Sequence, residues 1–522
     1  MQRKQLLFSL LLPFAMTFGE PPSATPAESN SSAPSLKSDN PPSTEAGLPK
    51  PVTSSEKALS SEAAMTRLDA YPPSISLTTK KDFNSFVLVA TFDNGVTKDV
   101  TDESNLEVSD PKVAEVENNL LHPKTDGKTL LKATYLGRSV EIPITVSKAQ
   151  ENRTVSFNLD VMPIFMKAGC NNGSCHGSAR GQDRFMLSLF GYDPEGDHYR
   201  ITREQGTRRI NLAVPEESML VEKSIGAVPH TGGKLFSKDS EHWQVMVDWL
   251  RKGALDDPKD VAKPQKLELF PPELLLEGNG ASQQMTVLAH YSDGTTRDVT
   301  KLTVFQSNNE LSASIDENGL VTAGKRGEAF VMARFNVFTV GIQAVVIPEN
   351  LQYERPALPA NNYIDALVHE KLHKLRITQS GLCSDEVFLR RVFLDVVGMT
   401  PKKEDYDRFA MDSSPDKRAK LIDELLDRKE FTEIWVMKFA ELLQIQTDDN
   451  QGMSYKATLL YFNWLKDRIA NNVPMDQIVR ELLTSTGGTF VNPSTNYYQV
   501  ERDNLKITEN VAQVFMGMRI QC

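Results

Sequence analysis

Basic tracts are missing from this 522-residue sequence, where 58 Lys and Arg are scattered against 69 Asp and Glu for a net charge of −11. That balance leaves no electrostatic footprint for nucleic acid. Past the first 20 residues no run approaches the roughly 20 apolar residues that a transmembrane helix needs, so the mature chain is expected to have no membrane span. Cysteine is scarce too: the 4 cysteines exclude a disulfide framework as the main source of stability. Two of them, Cys170 and Cys175, fall in one short motif.

What is present begins with an export signal. Arg3 and Lys4 precede a short apolar stretch from Leu6 to Phe18, interrupted by Ser9 and Pro13. This predicts a signal peptide over residues 1–19 and a location in the periplasm or at the cell surface. No cysteine follows closely enough to take a lipid anchor. Residues 20–70, rich in Pro, Ser, Thr and Glu, cannot build a core and read as a disordered linker. A chain this long is expected to hold three or four separate cores.

An internal repeat lays FDNGVTKDVT (Phe92 to Thr101) on YSDGTTRDVT (Tyr291 to Thr300), an offset of 199 residues. Alternating apolar residues lead into each copy: Phe86, Leu88, Ala90 and Phe92 in the first, Met285, Val287, Ala289 and Tyr291 in the second. Period-two patterning that ends in Asn94-Gly95 or Asp293-Gly294 predicts a β-hairpin whose two central turn residues have positive φ. Val116 and Ile315 are expected in matching strands, Gly127 and Gly327 in matching turns. Residues 72–148 and 266–348 thus read as two all-β sandwiches, and they resemble bacterial Ig-like domains of group 2. The resemblance implies a spacer role, or adhesion to an envelope or matrix component.

Between them runs DVMPIFMKAGCNNGSCHG. A short amphipathic helix with Val161, Ile164, Phe165 and Ala168 leads into Cys170, Cys175 and His176. Two thiols that can add to haem vinyl groups, followed at once by an imidazole that can ligate the iron, form a c-type haem attachment pattern, here with four residues between the cysteines instead of two. The same residues also allow a Cys170–Cys175 disulfide in an oxidising compartment, or a metal site short of its fourth ligand.

Downstream, PEESMLVEKSIGAVPHTGGKLFSKDSEHWQVMVDWLRKGA contains an amphipathic helix with Trp243, Met246, Val247 and Leu250. Residues 158–256 resemble the Planctomycete cytochrome C domain, which implies a small, mainly α, cytochrome c-like module over 150–258 with covalent haem c. Where that family carries its distal Met, this chain reads Val228-Pro229-His230. The resemblance therefore makes His230 the distal ligand, with Met219 as the alternative, and implies an electron carrier with an unidentified redox partner rather than a catalyst. His198 and His242 are expected to be exposed.

After Pro356 helical periodicity takes over, predicting an all-α domain over 358–522. Ser414-Pro415 and Thr400-Pro401 read as helix starts, and segments 456–470 and 474–484 as helices. His369-Glu370-Lys371-Leu372-His373 matches the H-E-x-x-H zinc-peptidase pattern. Its histidines, however, lie off the apolar stripe of Ile364, Leu367, Val368, Leu372 and Leu375 and are expected to face solvent. SDEVFLRRVFLDVVGMTP, SPDKRAKLIDELLDRKEF and ITENVAQVFMGMRIQC resemble the domain of unknown function DUF 1549. In that family a Cys-x-x-Cys-His motif begins at the position of Cys522, which implies an incomplete domain here. Arg390, Arg391 and Asp395 recur in the family's leading helix and are expected in buried ion pairs; Cys383 is expected as a partly buried free thiol.

The sequence thus predicts a multi-domain exported protein: two all-β Ig-like sandwiches flanking a small, mainly α, cytochrome c-like module, then an all-α domain. Its expected function is c-type haem binding and electron transfer. Surface adhesion with a Cys170–Cys175 disulfide is the alternative, and a zinc peptidase using His369, Glu370 and His373 the third.

Overall fold

A computed structural model describes residues 63–447 and 454–520; the signal peptide, nearly all of the linker and Cys522 lie outside the described residues. The first β unit holds strands β1 Met65–Tyr71, β2 Ile75–Thr78, β3 Asn84–Ser85, β4 Val87–Phe92, β5 Thr97–Asp99, β6 Asn105–Val108, β7 Ala114–Glu117, β8 Leu120–Pro123, β9 Gly127–Tyr135 and β10 Arg138–Ser147. They form sheets ordered β1-β4-β5, β2-β10-β9-β6 and β3-β8-β7. Leu68, Leu88 and Ala90 from the first sheet share one core with Ile75, Leu131, Ala133, Ile142 and Ile144 from the second. Strand β4 is covered on both faces, since Val87 and Val89 are buried as fully as Leu88 and Ala90; hence its unbroken apolar run.

Two details of the sequence reading change here. Strand β1 occupies residues assigned to the linker, because Leu68 and Ala70 alternate into the core while the strand pairs antiparallel with β4. The hairpin turn is also of another kind. Gly95 N donates to Phe92 O at 2.9 Å and Phe92 N to Val96 O at 2.9 Å, and of the two central residues only Gly95 has positive φ (83°). This is the three-residue loop with a glycine bulge, in which Asn94 instead turns its Oδ1 onto Val96 N at 3.0 Å.

Helices α1 Met162–Lys167, α2 Pro194–Thr202, α3 Gly206–Arg209, α4 Met219–Ser224 and α5 Glu241–Arg251 follow, joined by long irregular stretches. Phe157, Val161, Ile164, Phe165, Met246, Val247, Trp249 and Leu250 make their core. The second β unit repeats the first with β11 Pro264–Phe270, β12 Leu274–Glu277, β13 Ser282–Gln284, β14 Thr286–Tyr291, β15 Thr296–Asp298, β16 Val304–Ser307, β17 Ala313–Ile315, β18 Leu320–Ala323, β19 Gly327–Phe335 and β20 Phe338–Ile347, in sheets of the same order.

The two β units touch each other directly. Asp99 Oδ2 accepts Gln284 N and Gln283 Nε2, each at 3.0 Å; Asp298, its repeat equivalent, accepts Ser85 N at 2.6 Å and Ser85 Oγ at 2.5 Å. Ser85 and Gln284 are equivalent positions as well, so one contact is the mate of the other, as a two-fold axis requires. Tyr71 and Phe270, a further equivalent pair, stack on each other with centroids 5.6 Å apart. The Asp of the repeated Asp-Val-Thr therefore serves as a clasp between copies.

The helical segment docks on the second unit. Leu159 and Met166 enter that unit's core, and Asp160 Oδ1 accepts Arg297 Nη2 at 2.9 Å while Arg153 holds both its oxygens at 2.8 and 2.6 Å. Asp257 closes the start of the segment by accepting Ser156 Oγ, Phe157 N and Asn158 N.

The C-terminal region is helical: α6 Tyr363–Lys374, α7 Asp385–Val397, α8 Lys403–Met411, α9 Lys417–Asp427, α10 Lys429–Leu442, α11 Tyr455–Ala470, α12 Met475–Leu483, α13 Tyr497–Val500 and α14 Asn504–Met516. Leu389, Phe393, Val396, Leu421 and Leu425 pack α7 against α9. Helices α8 and α9 start two residues later than the Pro signals predict. Helix α9 follows Asp416, with Ser414 donating its hydroxyl to Asp412 Oδ1 at 2.5 Å, and Lys402 begins α8 with its N–H on Asp405 Oδ2 at 3.0 Å. Arg390, Arg391 and Asp395 are exposed, not buried ion pairs. No helix among the described residues is long and apolar enough to cross a membrane.

Candidate functional site

The Cys170–His176 loop folds on backbone bonds that offset its extra length. Helix α1 ends as Cys170 N donates to Phe165 O at 2.8 Å, with Gly169 at φ 75° turning the chain. His176 N then reaches back to Cys170 O at 3.0 Å, while Cys175 N and Gly177 N both donate to Asn172 O at 3.0 Å. The four intervening residues are thus gathered into one knot that sets His176 beside the first cysteine. Gly177 has no room for a side chain, since a Cβ there would lie 2.0 Å from Asn171 O. Cys170 and Cys175 are unbridged thiols. Burial, and secondarily Cys175, push the Cys170 thiol up to about 12.

Cys170, Cys175, His176, Met219 and His230 line one cavity of about 330 Å3. The two imidazoles face it in matched fashion. His176 Nδ1 is 2.8 Å from Phe185 O and His230 Nδ1 is 3.4 Å from Gly233 O. With Nδ1–H given to a carbonyl, each ring keeps Nε2 as a free lone pair, the arrangement that outer-sphere carbonyls impose on metal-ligating histidines. The two rings lie nearly parallel, in a stacked arrangement, with planes 7° apart and centroids 6.4 Å apart. Burial holds His176 below the usual histidine value; the Phe185 carbonyl opposes this, and His230 and Lys223 reinforce it. The ring is therefore neutral at pH 7, as a ligand must be.

The wall includes residues the sequence reading did not nominate. Phe185 lies with its ring 4.7 Å from that of His176, and the Arg209 guanidinium sits 4.4 Å over its other side. Arg208, Lys223, Phe165, Leu187, Leu220 and Leu235 also line the cavity. Loop 226–235 carries His230 and returns with Leu235 N on Ser224 O at 2.8 Å. A Cβ at Gly232 would come within 2.8 Å of His230 Cε1, so that glycine sets how far the ring can lie down.

The other nominated residues do not join this site. His198 and His242, expected to be exposed, are half-buried: His198 Nε2 is 2.8 Å from Ala254 O with its ring edge-on to Phe157, and His242 packs edge-on to Phe236. In α6 the expected apolar stripe is only partly covered: Leu367 is 65% and Val368 47% exposed, while Ile364, Leu372 and Leu375 are half-buried. His373 is half-buried as well, against Tyr353 at 5.6 Å between centroids, and Glu370 is paired with Arg355 at 2.8 Å. Among the described residues no group of three His, Cys, Asp or Glu is placed to hold a metal ion.

Comparison with known proteins adds a family to one part of the chain. Residues 363–522 match the profile described as PSCyt2, Protein of unknown function (DUF1549). No curated protein matches. Among solved structures, domains 5-6 of the S-layer protein SbsC are 9% identical over 55% of this chain and 100% of that chain, with a TM-score of 0.23. Drosophila OTK extracellular domains 3-5 are 8% identical over 55% of this chain and 63% of that one, with a TM-score of 0.11. At these values neither likeness carries an argument about this chain.

Proposed function

We propose that the helical segment is a c-type haem module and that the protein is an exported electron carrier of the cell envelope. In this reading Cys170 and Cys175 would hold the group through thioethers, His176 would be its proximal ligand and His230 its distal ligand, with Met219 the alternative. The observation that carries it is the meeting of both thiols and both imidazoles on one cavity, each imidazole with Nδ1 occupied and Nε2 free. Cys170 and Cys175, both unbridged, would supply the two thiols that covalent attachment of such a group calls for. When bound, such a group supplies one-electron transfer. The chain's part is to keep His176 neutral and oriented through Phe185 O, and to close the cavity with the apolar walls of Phe165, Leu187, Leu220 and Leu235. Helical residues 363–522 are carried alongside, with no chemistry assigned to them.

The test is haem staining on a denaturing gel of the full chain, exported in cells that supply the cytochrome maturation machinery. The expected result is a stained band at full length that is lost in Cys170→Ser/Cys175→Ser. An unstained parent band overturns the reading and favours surface adhesion.

A further inference from the structure

The cavity is cationic although the chain carries a net charge of −11. Arg208, Arg209 and Lys223 line it against one acidic residue, Asp183. Arg209 is 8% exposed, and its ion pair with Glu204 is long, at 3.9 Å. Its guanidinium is otherwise satisfied by main-chain carbonyls, Arg200 O at 2.5 Å, Glu204 O and, at 3.5 Å, Arg184 O. Arg208 and Lys223 make no ion pair among the described residues. With Glu204 as far as 3.9 Å from the buried Arg209 guanidinium, and with Arg208 and Lys223 lining the same cavity, this part of the lining carries net positive charge that an anion would offset. Phe165, Leu187, Leu220 and Leu235 add apolar surface to the same lining. The lining as a whole suits a flat apolar body that carries anionic arms.

We infer that Arg208 and Lys223 form a carboxylate clamp for the cavity's ligand, with Arg209 as the fixed positive wall behind them. The inference rests on the haem reading and adds which of this chain's residues recognise the acidic substituents of a tetrapyrrole. Arg209 is a positioning residue: it links the 184 and 200–204 backbones and braces Phe185, whose carbonyl orients His176.

The full chain, produced without the maturation machinery, is titrated with protoporphyrin IX and with its dimethyl ester, and binding is followed by quenching of tryptophan emission. A charge-assisted contact is worth about a tenfold change in affinity, so the diacid is expected to bind at least about tenfold tighter than the diester. In Arg208→Ala/Lys223→Ala the diacid falls to the affinity of the diester, which itself is unchanged. Arg208 is exposed and Lys223 half-exposed, so the fold is retained, as an unchanged circular dichroism spectrum would register. Equal binding of the two porphyrins, or a preference that survives in the double variant, overturns the clamp alone. Failure of the folded chain to bind either porphyrin overturns the tetrapyrrole reading together with the clamp.

Discussion

Replacing Asp160 by Asn should unseat the helical segment from the second β unit. Asp160 is 6% exposed and takes Arg297 at 2.9 Å, Arg153 at 2.6 Å and Ser156 N at 2.8 Å. Arg297 is buried at the same point, 17% of its side chain exposed. An amide at position 160 keeps one acceptor oxygen and removes the charge, leaving the Arg297 guanidinium buried without a counter-ion. Breaking a buried pair in this way costs about 3–5 kcal/mol. With a urea slope of about 2–3 kcal/mol/M, the midpoint should fall by about 1–2 M. Tryptophan emission reads this directly, because Trp249 is 1% exposed in the helical core, while Trp435 and Trp464 report on the C-terminal helices as an internal control. Asp160→Leu/Arg297→Met, which removes both charges, should lose far less than the single variant. A midpoint shift below about 0.3 M in Asp160→Asn would refute the idea that this carboxylate holds the two parts together.

Burial would raise the Asp160 pKa, but Arg297 and Arg153 outweigh it and bring the group from 3.8 to about 2. The folded value lies below the unfolded one, so its contribution of about 2 kcal/mol is present above about pH 4 and lost as pH falls toward 2; acid titration of Asp160→Asn should lack that component. Asp99→Asn and Asp298→Asn should destabilise the paired β units by similar amounts, about 1–3 kcal/mol each in denaturant titrations, because an amide turns a donor onto the partner's N–H; a large effect in one and none in the other would contradict the two-fold arrangement. In haem-loaded protein His230→Met should raise the reduction potential measured by redox titration, and an unchanged potential would remove His230 from the ligand position. Gly232→Val, which forces the ring away from its seat, should alter the same potential in the full chain.

Period-two patterning, the hairpin glycines and the offset of 199 residues made both β units legible, down to which of Leu88, Ala90, Val287 and Ala289 point inward. What those signals could not carry is that Asp99 and Asp298 bond across to the other copy. A carboxylate two residues before Thr101 also accepts Thr101 N at 3.0 Å, so local turn chemistry explains it sufficiently in one dimension. Cys170, Cys175, His176 and His230 were legible as a set from motif and resemblance. Phe185, Arg209, Lys223 and Gly232 were not, because each acts through a backbone carbonyl, a ring face or missing volume, none of which leaves a spacing pattern. The stripe on α6 misled for the opposite reason: periodicity says which residues share a face, but not whether anything covers that face. Proline signals misplaced two helix starts by two residues, since α8 begins where Asp405 takes the Lys402 N–H and α9 after Asp416.

Joining two copies of a unit in one polypeptide alters what their pairing can tolerate. In a homodimer every interface substitution is made twice, whereas here Ser85 and Gln284 are free to differ, and they do: one adds a hydroxyl to Asp298, while Asp99 gains an amide from Gln283. The part both halves share runs through main-chain N–H groups, which side-chain drift cannot remove. Residues 148–263 leave the pair at Ser147 and re-enter it at Pro264, so the intervening chain is held like a stone in a closed setting, by two prongs. The frame fixes its orientation at both ends, and Leu159, Met166 and Asp160 tie it to the second unit between them.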